Sequence, residues 1–187
     1  VPDLILGQPD GHVNGENRGK GVGEDTYRWP HAIAGDGCTL YVADAGNHRV
    51  LGYTPPPDAD RPADLVLGQK DFTQSFELPH VPQGPRRFRF PYGIALWGDL
   101  LAVADTANSR VLLFTELPRK GAYHPADYVI GQIDFDGSGE NRWQAVAWDT
   151  LCWPYGIWFH KNRLAIADSG NNRVMVWRLG LVGEVPI

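Results

Sequence analysis

Tyr41-Val42-Ala43-Asp44-Ala45-Gly46-Asn47-His48-Arg49-Val50-Leu51 is spelled twice more along the chain. The second copy is Ala102-Val103-Ala104-Asp105-Thr106-Ala107-Asn108-Ser109-Arg110-Val111-Leu112, and the third runs from Ala165 through Asp168, Asn171 and Arg173 to Met175. In each, two apolar runs flank a short polar turn, the pattern of a β-hairpin. Asn47, Asn108 and Asn171, with Gly where present, are expected to supply the positive φ of that turn. Asp44, Asp105 and Asp168 close the first strand, and Arg49, Arg110 and Arg173 open the second. Each Asp–Arg couple is expected to form a bidentate pair across the hairpin. A turn is needed in every copy and a catalytic site is not, so these nine residues read as structural.

The aspartates are separated by 105 − 44 = 61 and 168 − 105 = 63 residues. Leu4-Ile5-Leu6-Gly7-Gln8, Leu65–Gln69 and Tyr128–Gln132 repeat at the same two spacings, as do Trp29-Pro30, Phe90-Pro91 and Trp153-Pro154. Self-similarity at a fixed period marks a repeat architecture. The second unit contains four strand-like runs, Tyr92–Leu96, Leu100–Ala104, Arg110–Phe114 and Tyr128–Ile130, separated by Gly and Pro. No run of ten residues shows a helical period. A four-stranded unit repeated about an axis is a propeller blade, and strands apolar on both faces fit blades stacked face to face. The fold class is therefore all-β: residues 1–187 form one domain, a β-propeller with three four-stranded blades of about 62 residues per chain.

Pro91-Tyr92-Gly93-Ile94-Ala95, followed by Val103-Ala104-Asp105 and Asn108-Ser109-Arg110-Val111, resembles the NHL repeat of bacterial NHL-repeat proteins. The resemblance covers nearly the whole chain and implies a β-propeller, usually six-bladed. The first copy departs from the pattern at His31-Ala32, where close backbone approach is less assured. Three blades do not close a ring. Segment Asp3–Gly7 reads as an outer strand without its own inner strands, and 155–177 as three strands without an outer one. Two copies are therefore expected to pair as a homodimer with six blades; the alternative expectation is that the chain is a piece of a longer one that supplies the other blades.

The chain has 187 residues, seven Trp and a formal net charge of −5, with a pI near 5.6. That balance disfavours a nucleic-acid footprint. No run of 18 apolar residues and no signal-like stretch is present, so a soluble protein is expected, with no membrane partner. The compartment stays open between bacterial secreted and cytoplasmic. Cys38 and Cys152 each fall in one repeat and read as structural free thiols, with a disulfide as the alternative.

Three long loops, 9–28, 70–89 and 133–152, are expected to gather at one mouth of the propeller. The residues after the aromatic-Pro pairs begin the innermost strands, so His31, Tyr92 and Tyr155 are expected to ring that mouth. Trp29, Phe90 and Trp153 add apolar walls. Together these six are the candidate site for a protein, peptide or small-molecule ligand; packing between blades is the other reading. The loop from Asp134 to Arg142 matches residues 10–18 at an offset of 134 − 10 = 124, while the middle repeat shares only Asp71. Asp134, Asp136 and Glu140 are candidate calcium ligands, without the EF-hand spacing. The competing expectation is a loop held by internal Glu–Arg and Asn–backbone bonds. The Gly19–Gly23 run lacks the Lys-Ser/Thr and helix of a phosphate loop. Arg86-Arg87-Phe88-Arg89 suits single-stranded nucleic acid or an acidic peptide, against a solvated loop with local ion pairs. No common catalytic motif is present. The function expected is binding or scaffolding at the mouth, with no certain cofactor. The alternative is a lyase or hydrolase with a metal-assisted site in the channel.

Overall fold

The computed structural model describes residues 2–182 and 185–186. Val1, Gly183, Glu184 and Ile187, which belong to the expected first segment and last connector, lie outside the described residues. The chain is all-β. The first sheet contains β1 (Pro30–Gly35), β2 (Leu40–Asp44), β3 (Arg49–Tyr53) and β4 (Leu65–Leu67). The second contains β5 (Pro91–Trp97), β6 (Leu100–Asp105), β7 (Arg110–Phe114) and, beyond β8 (Gly121–Ala122), the edge strand β9 (Tyr128–Ile130). The third is β10 (Pro154–His160), β11 (Arg163–Asp168) and β12 (Arg173–Arg178), and a separate two-stranded pair joins β13 (Leu181–Val182) to β14 (Val185–Pro186). β8 lies in the connector after the second sheet's third strand, yet it pairs in parallel with β4 and makes the first sheet five-stranded. The sequence gives no apolar run there to announce it.

Registry follows the repeat. Asp44 pairs with Arg49, Asp105 with Arg110 and Asp168 with Arg173, each across a three-residue 3-10 turn. The positive φ falls one residue later than expected, on His48 (55°), Ser109 (51°) and Asn172 (54°), not on Asn47, Asn108 and Asn171. The turn residues themselves keep right-handed geometry, so the reversal is left to the residue leaving the turn. β1, β5 and β10 each carry an irregularity just after their first proline.

Burial grades across the molecule. β6 and β7 are buried along their whole length, as both faces are covered. Tyr41, Val50 and Leu67 meet Leu101, Val103, Leu112 and Phe114 between the first and second sheets. Ala102, Val111 and Leu113 meet Phe159, Leu164 and Ile166 between the second and third. The far side of the first sheet is covered by loop residue Tyr27 with Leu6 and Phe72. The third sheet has no such cover among the described residues. Its β12 alternates half-buried and exposed residues, and Trp158, Val174 and Val176 face outward. A Cβ on Gly93 would come within 2.5 Å of the Tyr155 carbonyl, so glycine lets β5 and β10 approach. The equivalent Gly156 has only Ala167 at 3.7 Å.

The strand expected at Asp3–Gly7 does not form within the chain: residues 2–8 join no ladder. Their counterparts Leu65–Leu67 and Tyr128–Ile130 each pair with the third strand of the preceding hairpin, and residues 3–7 pair with no strand among the described residues.

Candidate functional site

The Asp–Arg couples are anchors for the loops. Asp105 Oδ1 accepts the Arg89 N–H at 2.6 Å, while Oδ2 accepts Arg110 Nε at 2.6 Å and Asn108 Nδ2 at 2.8 Å. Asp44 repeats this with Arg28, Arg49 and Asn47, and Asp168 with Cys152, Arg173 and Asn171. The expected bidentate pairing is corrected: only Nε of each arginine reaches its aspartate. The remaining nitrogens donate to loop carbonyls. Arg49 Nη2 reaches Gly23 and Thr26, and its Nη1 reaches Phe72 of the next repeat at 2.6 Å. Arg110 Nη2 reaches Gly84 and Arg87, and its Nη1 reaches Phe135. Burial pushes the Asp44 and Asp105 carboxyls up, and the facing guanidinium pulls them back. Each buried guanidinium thus fixes where its loops start and end, and the loops carry the site.

Trp29 (φ 52°), Phe90 (50°) and Trp153 (53°) all adopt the left-handed backbone region. That conformation costs a side-chain-bearing residue ~1–2 kcal/mol, and here it recurs at one position in three repeats. It is held in place: the Phe90 N–H donates to His48 Nδ1 at 3.2 Å, and the Trp153 N–H to Ser109 Oγ at 3.4 Å. The result is a row of rings. Trp29 stacks with Phe90 (6.4 Å, 17°), Phe90 with Tyr92 (6.4 Å, 28°) and Tyr92 with Tyr155 (5.0 Å, 12°). They line an open cavity of about 500 Å³ together with Trp153, and Trp143, Arg89 and Glu140 close its sides. Five of the six expected residues meet there. His31 packs on Tyr92 at 4.2 Å but does not line the cavity. Burial, then the neighbouring Tyr155, pushes the Tyr92 phenol up.

Charged groups reach the cavity from the loops. Arg89 Nε donates to Glu77 at 2.9 Å, and Glu140 accepts the Trp153 indole N–H at 2.6 Å. Glu77 stands 61 residues after Glu16, so the middle repeat shares more than Asp71 with the others; reading the loops at the hairpin spacing, not at 124, exposes it. Arg89 and Trp143 were absent from the expected lining, although Arg89 sits one residue before an expected one.

The candidate calcium ligands do not converge. Asp134 Oδ1 accepts the backbone N–H groups of Asp136 and Gly137, both at 3.0 Å, while Glu140 turns to Trp153. Among the described residues no group of three His, Cys, Asp or Glu side chains is placed to hold a metal. The loop is held instead by the Asn141 N–H on the Leu151 carbonyl and by Arg142 on Asp149, not by the expected Arg142–Glu140 pair. The run Arg86–Arg89 is largely committed: Phe88 is in the core, Arg87 donates to Gln69 and lies over Tyr123, and Arg89 pairs with Glu77. Cys38 and Cys152 are both free. Burial, then the Glu140 and Asp168 carboxylates, pushes the Cys152 thiol up, away from the reactive thiolate. No described helix is long and apolar enough to cross a membrane.

No protein-family model and no curated protein matches the chain. Solved structures similar to it include the computationally designed Ika4 protein, at 9% identity and a TM-score of 0.40 over 80% of this chain. A humanized mutant of Chaetomium thermophilum Polycomb Repressive Complex 2 bound to the inhibitor GSK126 is similar at 11% identity and a TM-score of 0.51 over 81% of it. Apo ctPRC2 in an autoinhibited state is similar at 11% and 0.51 over 82%. The chain spans 65% of the Ika4 chain and 28% and 29% of the two Polycomb chains. At these identities the Polycomb likeness concerns the fold alone.

Proposed function

We propose that the three sheets are consecutive blades of an NHL-type β-propeller, and that the chain is a binding module whose ligand sits in the aromatic cavity at the mouth. The ligand is a small molecule or a side chain of a peptide or protein. The radial arrangement is supported by the rings after the prolines: His31, Tyr92 and Tyr155 begin successive sheets and lie side by side at 4.2 and 5.0 Å. The observation that carries the binding reading is convergence: aromatic residues from three repeats, three of them held in the left-handed region, line one open cavity that also holds Arg89 and Glu140. A large cavity walled by rings with a few polar groups is the pattern of a ligand site. A screen of small neutral and charged fragments by ligand-observed NMR tests it. Fragments should bind and be lost together in Tyr92→Ala; a screen in which none binds sinks the reading.

The partner that completes the ring is, in the same proposal, a second copy. One end of the molecule offers an unpaired Leu-Gly-Gln segment, with Gln8 Oε1 buried and without a hydrogen-bond partner. The other offers the free edge of β12 and an apolar face. The two ends match as the internal junctions do, because Gln69 and Gln132 each donate to the turn of the preceding hairpin, at His48 and Ser109. Light scattering should give a dimer mass at micromolar concentration. A monomer at every concentration, or a dimer that survives deletion of residues 1–8, overturns it.

A further inference from the structure

Three positions around the cavity can be compared because the repeat aligns them. Glu16, Glu77 and Glu140 occupy one position, and Trp29, Phe90 and Trp153 another. Between them lies Arg28 in the first repeat, Arg89 in the second and Cys152 in the third. The first two repeats hold a guanidinium against the carboxylate. Arg89 does so with a hydrogen bond of 2.9 Å to Glu77. Arg28 Nε lies 3.0 Å from Glu16, with its N–H not aimed at the oxygen, and its Cζ sits 4.7 Å from the centre of the Trp29 ring. In the third repeat the aromatic ring and the carboxylate remain, and the arginine does not. No described Lys, Arg or His forms an ion pair with Glu140, which instead spends one oxygen on the Trp153 indole N–H.

This vacancy opens on the aromatic cavity, since Glu140, Trp153 and Trp143 all line it. The charge balance there is specific. Arg89 is neutralised by Glu77, so the uncompensated charged group at the wall is Glu140, and much of the remaining wall is aromatic, Trp153 among it. We infer that the cavity takes a guanidinium group, stacked on Trp153 and bonded to Glu140, in the place where the first repeat puts its own Arg28 against Trp29 and Glu16. The molecule thus contains its own template for the complex. A planar guanidinium fits better than a compact ammonium, because it presents a face to the indole and an N–H edge to the carboxylate together.

This inference rests on the cavity being the ligand site. The probes are N-acetyl-arginine methylamide and its neutral isostere N-acetyl-citrulline methylamide, followed by tryptophan fluorescence and by NMR. The arginine probe should bind, more weakly as salt is raised, and the citrulline probe at least about tenfold less well, the size of a lost charge-assisted bond. Glu140→Gln should reduce arginine binding by about the same factor while leaving neutral fragments bound. Cys152→Arg restores the missing side chain; it should fill the site from within, raise the melting temperature and abolish arginine binding. Equal binding of the two probes, or arginine binding unchanged in Glu140→Gln and Cys152→Arg, overturns the guanidinium assignment. If fragments bind in the cavity and the arginine probe does not, this assignment fails alone; if neither binds, the ligand-site reading falls with it.

Discussion

Arg110 in the second sheet and Arg173 in the third begin from the same local sequence, and only the first is sealed. Arg110 has no exposed side-chain surface, while 25% of the Arg173 side chain is exposed. Both hold their aspartate and their own loop. Arg110 also reaches the Phe135 carbonyl of the following repeat, and Ser109 beside it accepts the Trp153 N–H. Arg173 Nη1 and Asn172 make no corresponding bond among the described residues. The difference shows that each hairpin has two tasks. It folds its own sheet through Asp, Asn and Arg Nε, and it positions the next repeat through Arg Nη1 and the residue after the 3-10 turn.

The largest test removes the carboxylate from each hairpin. Asp105→Ala leaves a buried guanidinium and the Arg89 N–H without their partner, and should destabilise by about 3–5 kcal/mol. Asp168→Ala leaves a guanidinium that water can reach, and should cost only about 1–2 kcal/mol. Urea denaturation of both variants measures this. Equal losses mean that the third hairpin is as sealed in solution as the second, and the contrast between the two sheets disappears.

A smaller contrast probes the faces themselves. Val111 and Val174 are equivalent, the one fully buried and the other 69% exposed. Val111→Ala should cost about 2 kcal/mol, from lost burial and the cavity left behind. Val174→Ala should be within about 0.5 kcal/mol in a dilute monomer. If a second copy covers the third sheet, the cost of Val174→Ala should grow with protein concentration. A cost independent of concentration breaks the pairing of copies as the reason for that apolar face.

The repeat itself was legible because hairpins need the same residue types wherever they occur. Spacing identified the three hairpins, the outer strands β4 and β9, and five of the aromatic residues that meet in the cavity. Two features were less legible for different reasons. β8 is two residues, Gly121 and Ala122, without apolar alternation; its place comes from backbone bonds to the first sheet, 57 residues upstream by the pairing of Asp64 with Gly121. The partners of Arg49 and Arg110 are backbone carbonyls, and a carbonyl has no residue type to read. Glu77 was readable, by carrying the hairpin spacing into the loops, and so was the contrast of Arg28 and Arg89 with Cys152. The segment Leu4–Gln8 has the sequence of an edge strand yet pairs with none among the described residues, because sequence specifies a strand's faces but not its neighbour.

The smallest effect distinguishes the first junction from the second. His48 and Ser109 occupy the same position after the 3-10 turn and cap the next aromatic N–H, but only His48 titrates. Its Nε2 lies 3.5 Å from Glu77, a contact that favours the imidazolium. Burial acts in the opposite direction and is the larger influence, with Arg28 and Arg89 adding to it, so the His48 pKa is lowered. The hydrogen bond agrees: Nδ1 accepts the Phe90 N–H, and a proton there would replace attraction with repulsion. The neutral ring therefore carries its proton on Nε2, facing Glu77. A histidine depressed in the folded state is protonated first in the unfolded chain. Stability should then hold above the unfolded value near 6.5 and fall as pH drops through it toward the lower folded value, by at most about 1.4 kcal/mol per unit. His48→Ser, which installs the second junction's residue at the first, should remove that part of the slope and leave the rest of the pH profile in place. Identical slopes in the two proteins would show that His48 is not buried neutral. A wild type that instead gains stability below pH 6.5, relative to His48→Ser, would show the Glu77 contact prevailing over burial.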